Sequence, residues 1–152
     1  NAKTISSKLY SRQIRRKLKI PTTRKNYGNG IQLCPMVSQM TEFKRLDIYW
    51  VDLEPTKGTE TKKLRPCVIV QSDLVNIQSK TLVVAPMLPN HKSWPFAVNL
   101  TPTSNNGLDK DRHINLKQLR AVDISRIGKK QGRLEREYLQ SIKQALTIVF
   151  DL

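Results

Sequence analysis

Acidic side chains are scarce in this chain: 12 Asp and Glu stand against 27 Lys and Arg, a net charge of +15. An excess of that size leaves the fold open. It narrows the partners to polyanions, nucleic acid before an anionic membrane surface, unless the charge serves solubility alone. Cysteine is nearly missing. Cys34 and Cys67 are the whole supply, too few and too far apart for a disulfide framework or a metal-ligand spacing, and in keeping with a reducing cytoplasm. Cys67 lies within Pro66-Cys67-Val68-Ile69-Val70, where it reads as a small, inert, buried apolar residue. No apolar run approaches the roughly 20 residues that span a bilayer, and no apolar stretch follows the basic N-terminus as it does in a signal peptide. Histidine is limited to His91 and His113. There is no H-x-x-x-H pattern, Cys/His cluster or paired aspartate for a metal, no Gly-rich phosphate loop and no G-x-S-x-G elbow. Conventional hydrolase machinery is excluded, and neither a metal nor a cofactor is expected.

What is there is unevenly placed. Residues 1–40 hold nine of the basic residues and no acid, so the remaining 18 basic and 12 acidic residues give residues 41–152 only +6. The first forty residues are also poor in large apolar side chains. Ser7 to Ile20 has the spacing of a basic helix whose apolar stripe, Leu9, Ile14 and Leu18, is too thin to anchor it. The expectation is a loosely ordered basic extension over residues 1–40, with contact to RNA as its sharper reading. Met40 is a natural start for a compact domain over residues 41–152.

Along that domain, β-branched and aromatic residues favour strands at Leu46–Leu53, Pro66–Gln71, Thr81–Met87 and Phe96–Leu100, with shorter ones at His113–Leu116 and Leu119–Ile124. The second is expected to open on Pro66, and the third is apolar enough to be buried on both faces. The C-terminus changes period. Tyr138, Ile142, Ala145 and Val149, beside Leu139, Leu146 and Phe150, recur every three or four residues and predict an amphipathic helix from about Leu134. Short strands followed by one packing helix imply a small, strongly bent sheet or barrel of mainly β or α+β class.

The chemistry concentrates in the polar loop Pro55-Thr56-Lys57-Gly58-Thr59-Glu60-Thr61-Lys62-Lys63-Leu64-Arg65-Pro66. It joins two strands expected to pair, so its ends are fixed while its middle can cover a groove. Cutting RNA without a metal needs a base for the 2′-hydroxyl proton, a cation for the phosphorane-like transition state and a donor for the departing 5′-oxygen. Glu60 and Arg65 are candidates for the first two, since a planar guanidinium meets two phosphate oxygens at once. The plain alternative is a Glu60–Arg65 surface salt bridge worth under about 1 kcal/mol.

Asp47-Ile48-Tyr49-Trp50-Val51-Asp52-Leu53-Glu54-Pro55-Thr56-Lys57-Gly58-Thr59-Glu60, followed by Arg65-Pro66, closely resembles the opening of the MazF/PemK-type toxins. Val83-Val84-Ala85-Pro86, Trp94-Pro95-Phe96-Ala97-Val98 and Gln118-x-Arg120-x-x-Asp123 follow in the family's order, and the resemblance extends over about 110 residues. It implies an SH3-like barrel, a homodimer, and a cytoplasmic toxin that cleaves single-stranded RNA at short sequences without a metal. Products would be a 2′,3′-cyclic phosphate and a 5′-hydroxyl, and a cognate antitoxin would occupy the RNA groove. Carried over by position, Arg65 matches the catalytic arginine, Glu60 the loop glutamate, and Gln118 and Arg120 groove residues. Lys57, Thr59, Thr61, Lys62 and Lys63 of the loop complete the expected RNA-binding set.

The sequence departs from the family at several points. Leu88 stands where many members place a catalytic threonine or serine. Asn115 and Lys117 replace an arginine and an aspartate, Thr59 replaces a histidine, and Leu46 replaces the glycine of the opening Gly-Asp. His113 is the candidate for the acid–base role these changes leave open. Two other readings stand beside the nuclease: a gyrase poison of the CcdB type, against which the loop and the absence of a C-terminal tryptophan speak, and a degenerate member that binds RNA or antitoxin without cutting.

Overall fold

One sheet feeds two separate interiors, because alternate residues of its central strands point to opposite faces. The computed structural model describes residues 43–77 and 79–152; the basic extension expected over residues 1–40 lies outside them. The described elements are β1 (Asp47–Asp52), β2 (Leu64–Ile69), a short α1 (Asp73–Asn76), β3 (Thr81–Pro89), β4 (Ala97–Leu100), β5 (Arg112–Asn115), β6 (Arg120–Asp123), β7 (Ile127–Arg133) and α2 (Tyr138–Phe150). Single turns at Leu116–Gln118 and Ile124–Arg126 join β5 to β6 and β6 to β7. The seven strands pair in the order β4-β5-β3-β2-β1-β7, with β6 also on β3, and every pairing is antiparallel. The mainly β sheet with a C-terminal helix agrees with the expected class.

β3 is the hub. Its first half, Thr81 to Val84, pairs with β6, and its last residues, Met87 to Pro89, pair with β5. β2 joins at Val84 to Pro86. Ile48, Val68, Ala85 and Met87 enter one core with Ile142 and Ala145 of α2. Tyr49, Cys67, Ile69 and Val84 enter the other with Leu53, Leu82 and Val122. This two-sided burial is why β3 reads as an unbroken apolar run.

Boundaries differ from the expectation in informative places. β2 begins at Leu64, so Pro66 is inside it and opposite Trp50. β3 joins β2 only from Cys67 onward, so Pro66 sits where the strand still has an edge, as a proline in a sheet must. The helix begins at Tyr138, not Leu134: Leu134 directly follows β7, is 1% exposed in the core, and its N–H donates to Leu46 O at 2.9 Å. β7 had no counterpart in the strand expectations. Its sequence, IGKKQGR, has little apolar content and two glycines, and packing rather than propensity makes it a strand.

Candidate active site

The loop between β1 and β2 is closed at its base and tied through its length. Leu53 N donates to Lys63 O at 3.3 Å. Glu54 accepts from Lys63 N at 3.1 Å and from the backbone and hydroxyl of Thr56, each at 3.2 Å. Arg126 donates to Glu54 O. Farther out, Lys57 N donates to the Glu60 carboxylate at 3.2 Å and Glu60 N to Lys57 O at 3.3 Å. This tight turn passes through Gly58 at φ 61°, a conformation glycine adopts without steric cost.

The tip of the loop meets the segment joining β5 to β6. Thr61 donates both its N–H, at 2.7 Å, and its hydroxyl to Gln118 Oε1, and Gln118 Nε2 donates back to Thr59 O at 3.4 Å. Arg120 donates to Thr61 O at 3.5 Å and lies 3.8 Å from the Glu60 carboxylate. An open cavity of about 500 Å³ lies there, lined by Thr59, Glu60, Lys117, Gln118, Leu119 and Arg120. Two of its six lining residues are cations and one is a carboxylate, a composition suited to an anion with a proton to lose.

Arg65 does not line this cavity but shares its face of the sheet. Arg65, Cys67 and Ile69 alternate along β2, Ile69 is opposite Val84, and Val84 is opposite Arg120; residues opposed in register share a face. Both guanidinium charges reach the same buried thiol. Burial pushes Cys67 up to about 12 against the opposing pull of Arg120 and Arg65, so it is a neutral apolar residue, as the sequence suggested. Arg65 is half-exposed. Its Nε donates to Lys62 O at 3.2 Å, and among the described residues no carboxylate lies within salt-bridge range of it. The simple Glu60–Arg65 pair weighed from the sequence does not form; Glu60 faces Arg120.

His113 occupies a different setting. It is 1% exposed, opposite Leu88 on β3 and Asn99 on β4, and its ring meets Trp94 edge-on with centroids 5.8 Å apart. Nδ1 lies 2.7 Å from Asn90 O. A carbonyl only accepts, so Nδ1 is the donor, while Nε2 is buried without a hydrogen-bond partner among the described residues. Covered in this way, the ring is not presented to a ligand in the cavity.

The structure thus gathers Thr59, Glu60, Gln118 and Arg120 into one wall and sets Arg65 near the start of β2, on the same face of the sheet. Thr61 is buried as a strut; Lys57, Lys62 and Lys63 are exposed along the loop; His113 is apart. Sequence reasoning passed over Lys117, noted only as a departure, although it lines the cavity. It also gave no role to Trp94 and Phe96, whose rings stack 5.5 Å apart. The available signal was an aromatic-proline-aromatic segment with a lysine two residues before it, Lys92-Ser93-Trp94-Pro95-Phe96. Among the described residues no group of three or more His, Cys, Asp or Glu is placed to hold a metal, and no helix is long and apolar enough to cross a membrane.

Comparison with known proteins gives a consistent result. The chain is 34% identical over 111 residues to endoribonuclease MazF of Staphylococcus saprophyticus, covering 72% of this chain and 92% of that protein. It is 30% identical over 106 residues to endoribonuclease EndoA of Bacillus subtilis, covering 69% and 91%. Among solved structures, MazF of Deinococcus radiodurans superposes with a TM-score of 0.60 at 19% identity, covering 72% of this chain and 96% of that one. A mycobacterial endoribonuclease in complex with its cognate antitoxin does so at 0.59 and 18%, covering 72% and 95%. Residues 44–150 match the family described as PemK-like, MazF-like toxin of type II toxin–antitoxin systems, and the chain belongs to that family.

Proposed function

We propose that the chain is the toxin of a toxin–antitoxin pair, a cytoplasmic endoribonuclease that cuts single-stranded RNA without a metal or other cofactor and is neutralised by a cognate antitoxin. The observation that carries this reading is the fork of Arg65, unpaired among the described residues, on the same sheet face as the Glu60–Arg120 cavity wall. In the reaction, the ribose 2′-oxygen attacks the adjacent phosphorus as Glu60 takes its proton. The O2′–P bond forms and the P–O5′ bond breaks; the departing 5′-oxygen takes a proton from solvent water in the open cavity, Glu60 returns its proton to solvent, and a 2′,3′-cyclic phosphate and a 5′-hydroxyl result. Arg65 neutralises the charge gathering on the non-bridging oxygens. Glu60 is suited to accept the proton because it is half-exposed and already oriented by Lys57 N. Gln118 and Thr61 hold the loop and Arg120 in register, while Lys57, Lys62 and Lys63 track the backbone charge. His113 receives no part in proton transfer, being covered by Trp94. The reading includes a homodimer, to which the exposed Ile148 and Phe150 of α2 offer apolar surface.

The test is to incubate the protein with a long single-stranded RNA in excess EDTA and map the new ends. Cuts at a short sequence with cyclic-phosphate termini are expected. Arg65→Ala should slow cleavage by about 10²- to 10³-fold, the usual loss of a group that stabilises transition-state charge, and Arg65→Lys should restore it only in part because the fork is gone. Glu60→Gln should cost about 10²- to 10⁴-fold. RNA that is bound but left intact by the wild type would instead favour a non-cutting member, a reading motivated by Leu88, Asn115 and Lys117.

A further inference from the structure

Trp94 is 42% exposed, so part of its indole surface is open to a ligand. Its ring lies nearly parallel to that of Phe96, 5.5 Å away with 26° between planes. Lys92 Nζ is 5.3 Å from the Trp94 centroid and Lys117 Nζ is 5.9 Å from the Phe96 centroid. The pair is therefore bracketed by two cations and not ringed by apolar residues: Lys92, Ser93, Pro95 and Lys117 around it are all exposed. A protein-docking patch would extend its apolar surface outward. A stacked aromatic step with a positive charge at each end matches a strand of nucleic acid, whose bases need a π-face and whose phosphates need cations.

The platform is also held still. Lys92 and Asn99 exchange hydrogen bonds of 2.9 and 3.0 Å between β4 and the segment before it. Ala97 N donates to Trp94 O at 3.0 Å and Leu116 N to Phe96 O at 3.3 Å. From below, the edge of the buried His113 ring supports Trp94, and His113 is itself fixed by its bond to Asn90 O. Finally, the platform is continuous with the cavity: Lys117, which stands over Phe96, also lines it beside Gln118 and Arg120. We infer that the Trp94–Phe96 step, with Lys92 and Lys117, is a base-stacking site for the RNA nucleotides flanking the scissile phosphate. The inference rests on the endoribonuclease reading and gives that activity a positioning element outside its reacting groups.

The experiment uses a cleavable RNA and its uncleavable counterpart, in which the nucleotide that loses its 2′-hydroxyl proton is a 2′-deoxynucleotide. The chain has two tryptophans, and the other, Trp50, is in β1, so the difference between wild type and Trp94→Phe isolates the Trp94 emission. The uncleavable strand should quench it saturably. Replacing nucleotides one at a time by abasic units should abolish the quench at one position beside the cleavage point. With the cleavable strand, Trp94→Ala should raise KM by about 5- to 150-fold, the equivalent of one lost stacked base, with a smaller effect on kcat. Trp94→Phe should recover most of the loss, and thermal melts of both variants should stay close to wild type.

Strand binding seen by the anisotropy of a labelled RNA, with no change in Trp94 emission, would overturn the inference and leave the nuclease reading standing. A wild-type KM in Trp94→Ala would do the same. A Trp94 response to an acidic peptide but not to RNA would make the step a protein-contact surface, again contradicting the inference. Wild-type protein that neither binds nor cuts any RNA would remove the nuclease reading itself.

Discussion

A guanidinium that spends one donor on a carbonyl keeps its planar fork for a ligand, and Arg65 is in that state, bonded through Nε to Lys62 O. Its candidacy was legible in the sequence because Arg-Pro opens an apolar strand after a polar loop. Its freedom was not, because Glu60 is an equally plausible partner by spacing and only the fold turns that carboxylate toward Arg120. Leu46 makes a related point about backbone. It adopts φ 73°, the left-handed region that costs a side-chain-bearing residue roughly 1–2 kcal/mol. Yet its side chain is 4% exposed in the core shared with α2, and removing a buried leucine side chain costs about 2–5 kcal/mol. Burial wins. Leu46→Gly is therefore expected to lower stability in denaturant melts despite relieving the backbone; a more stable glycine variant would refute this weighing.

At the scale of elements, β7 shows how tertiary contacts overrule propensity. Two glycines and three cations argue against a strand over Ile127–Arg133, but the backbone there is approached too closely for a side chain. A Cβ on Gly132 would stand 2.4 Å from Asn106 O, while Arg133 N donates to Asn105 O at 3.0 Å and Asn105 Nδ2 returns a bond to Arg133 O at 2.9 Å. The opposite edge is fixed by charge: Asp47, fully buried, accepts from Lys130 at 2.8 Å and Arg133 at 2.9 Å. Gly132→Ala must displace backbone and should cost about 1–3 kcal/mol or more. Gly58→Ala meets nothing within 4 Å and carries only the φ penalty of roughly 1–2 kcal/mol, felt locally in the loop between β1 and β2. Urea melts of the two variants should rank them in that order, and equal midpoints would contradict the packing account of β7.

For the molecule as a whole, the described members of both interiors run from Phe43 to Val149, while nine cations precede them in residues 1–40. We propose that the extension is dispensable for folding and acts through charge. A chain lacking residues 1–39 should keep a single cooperative thermal transition, and a broad, non-cooperative melt would count against this division. If the extension touches RNA, its removal should also flatten the dependence of log K on log salt, since each lost phosphate contact releases fewer counterions. An unchanged slope would confine RNA contact to the domain.

Order along the chain was enough to locate six of the seven strands, the amphipathic helix and the family, and to single out the polar loop as a candidate site, because hydrophobic period, turn residues and a contiguous motif are local properties. Which carboxylate faces which guanidinium, that Thr61 serves as a strut on Gln118, that His113 is roofed by Trp94, and that a glycine-containing basic segment forms the strand beside β1 were settled only by folding. Each of these depends on register and on approach between segments tens of residues apart, and a one-dimensional pattern carries no record of either.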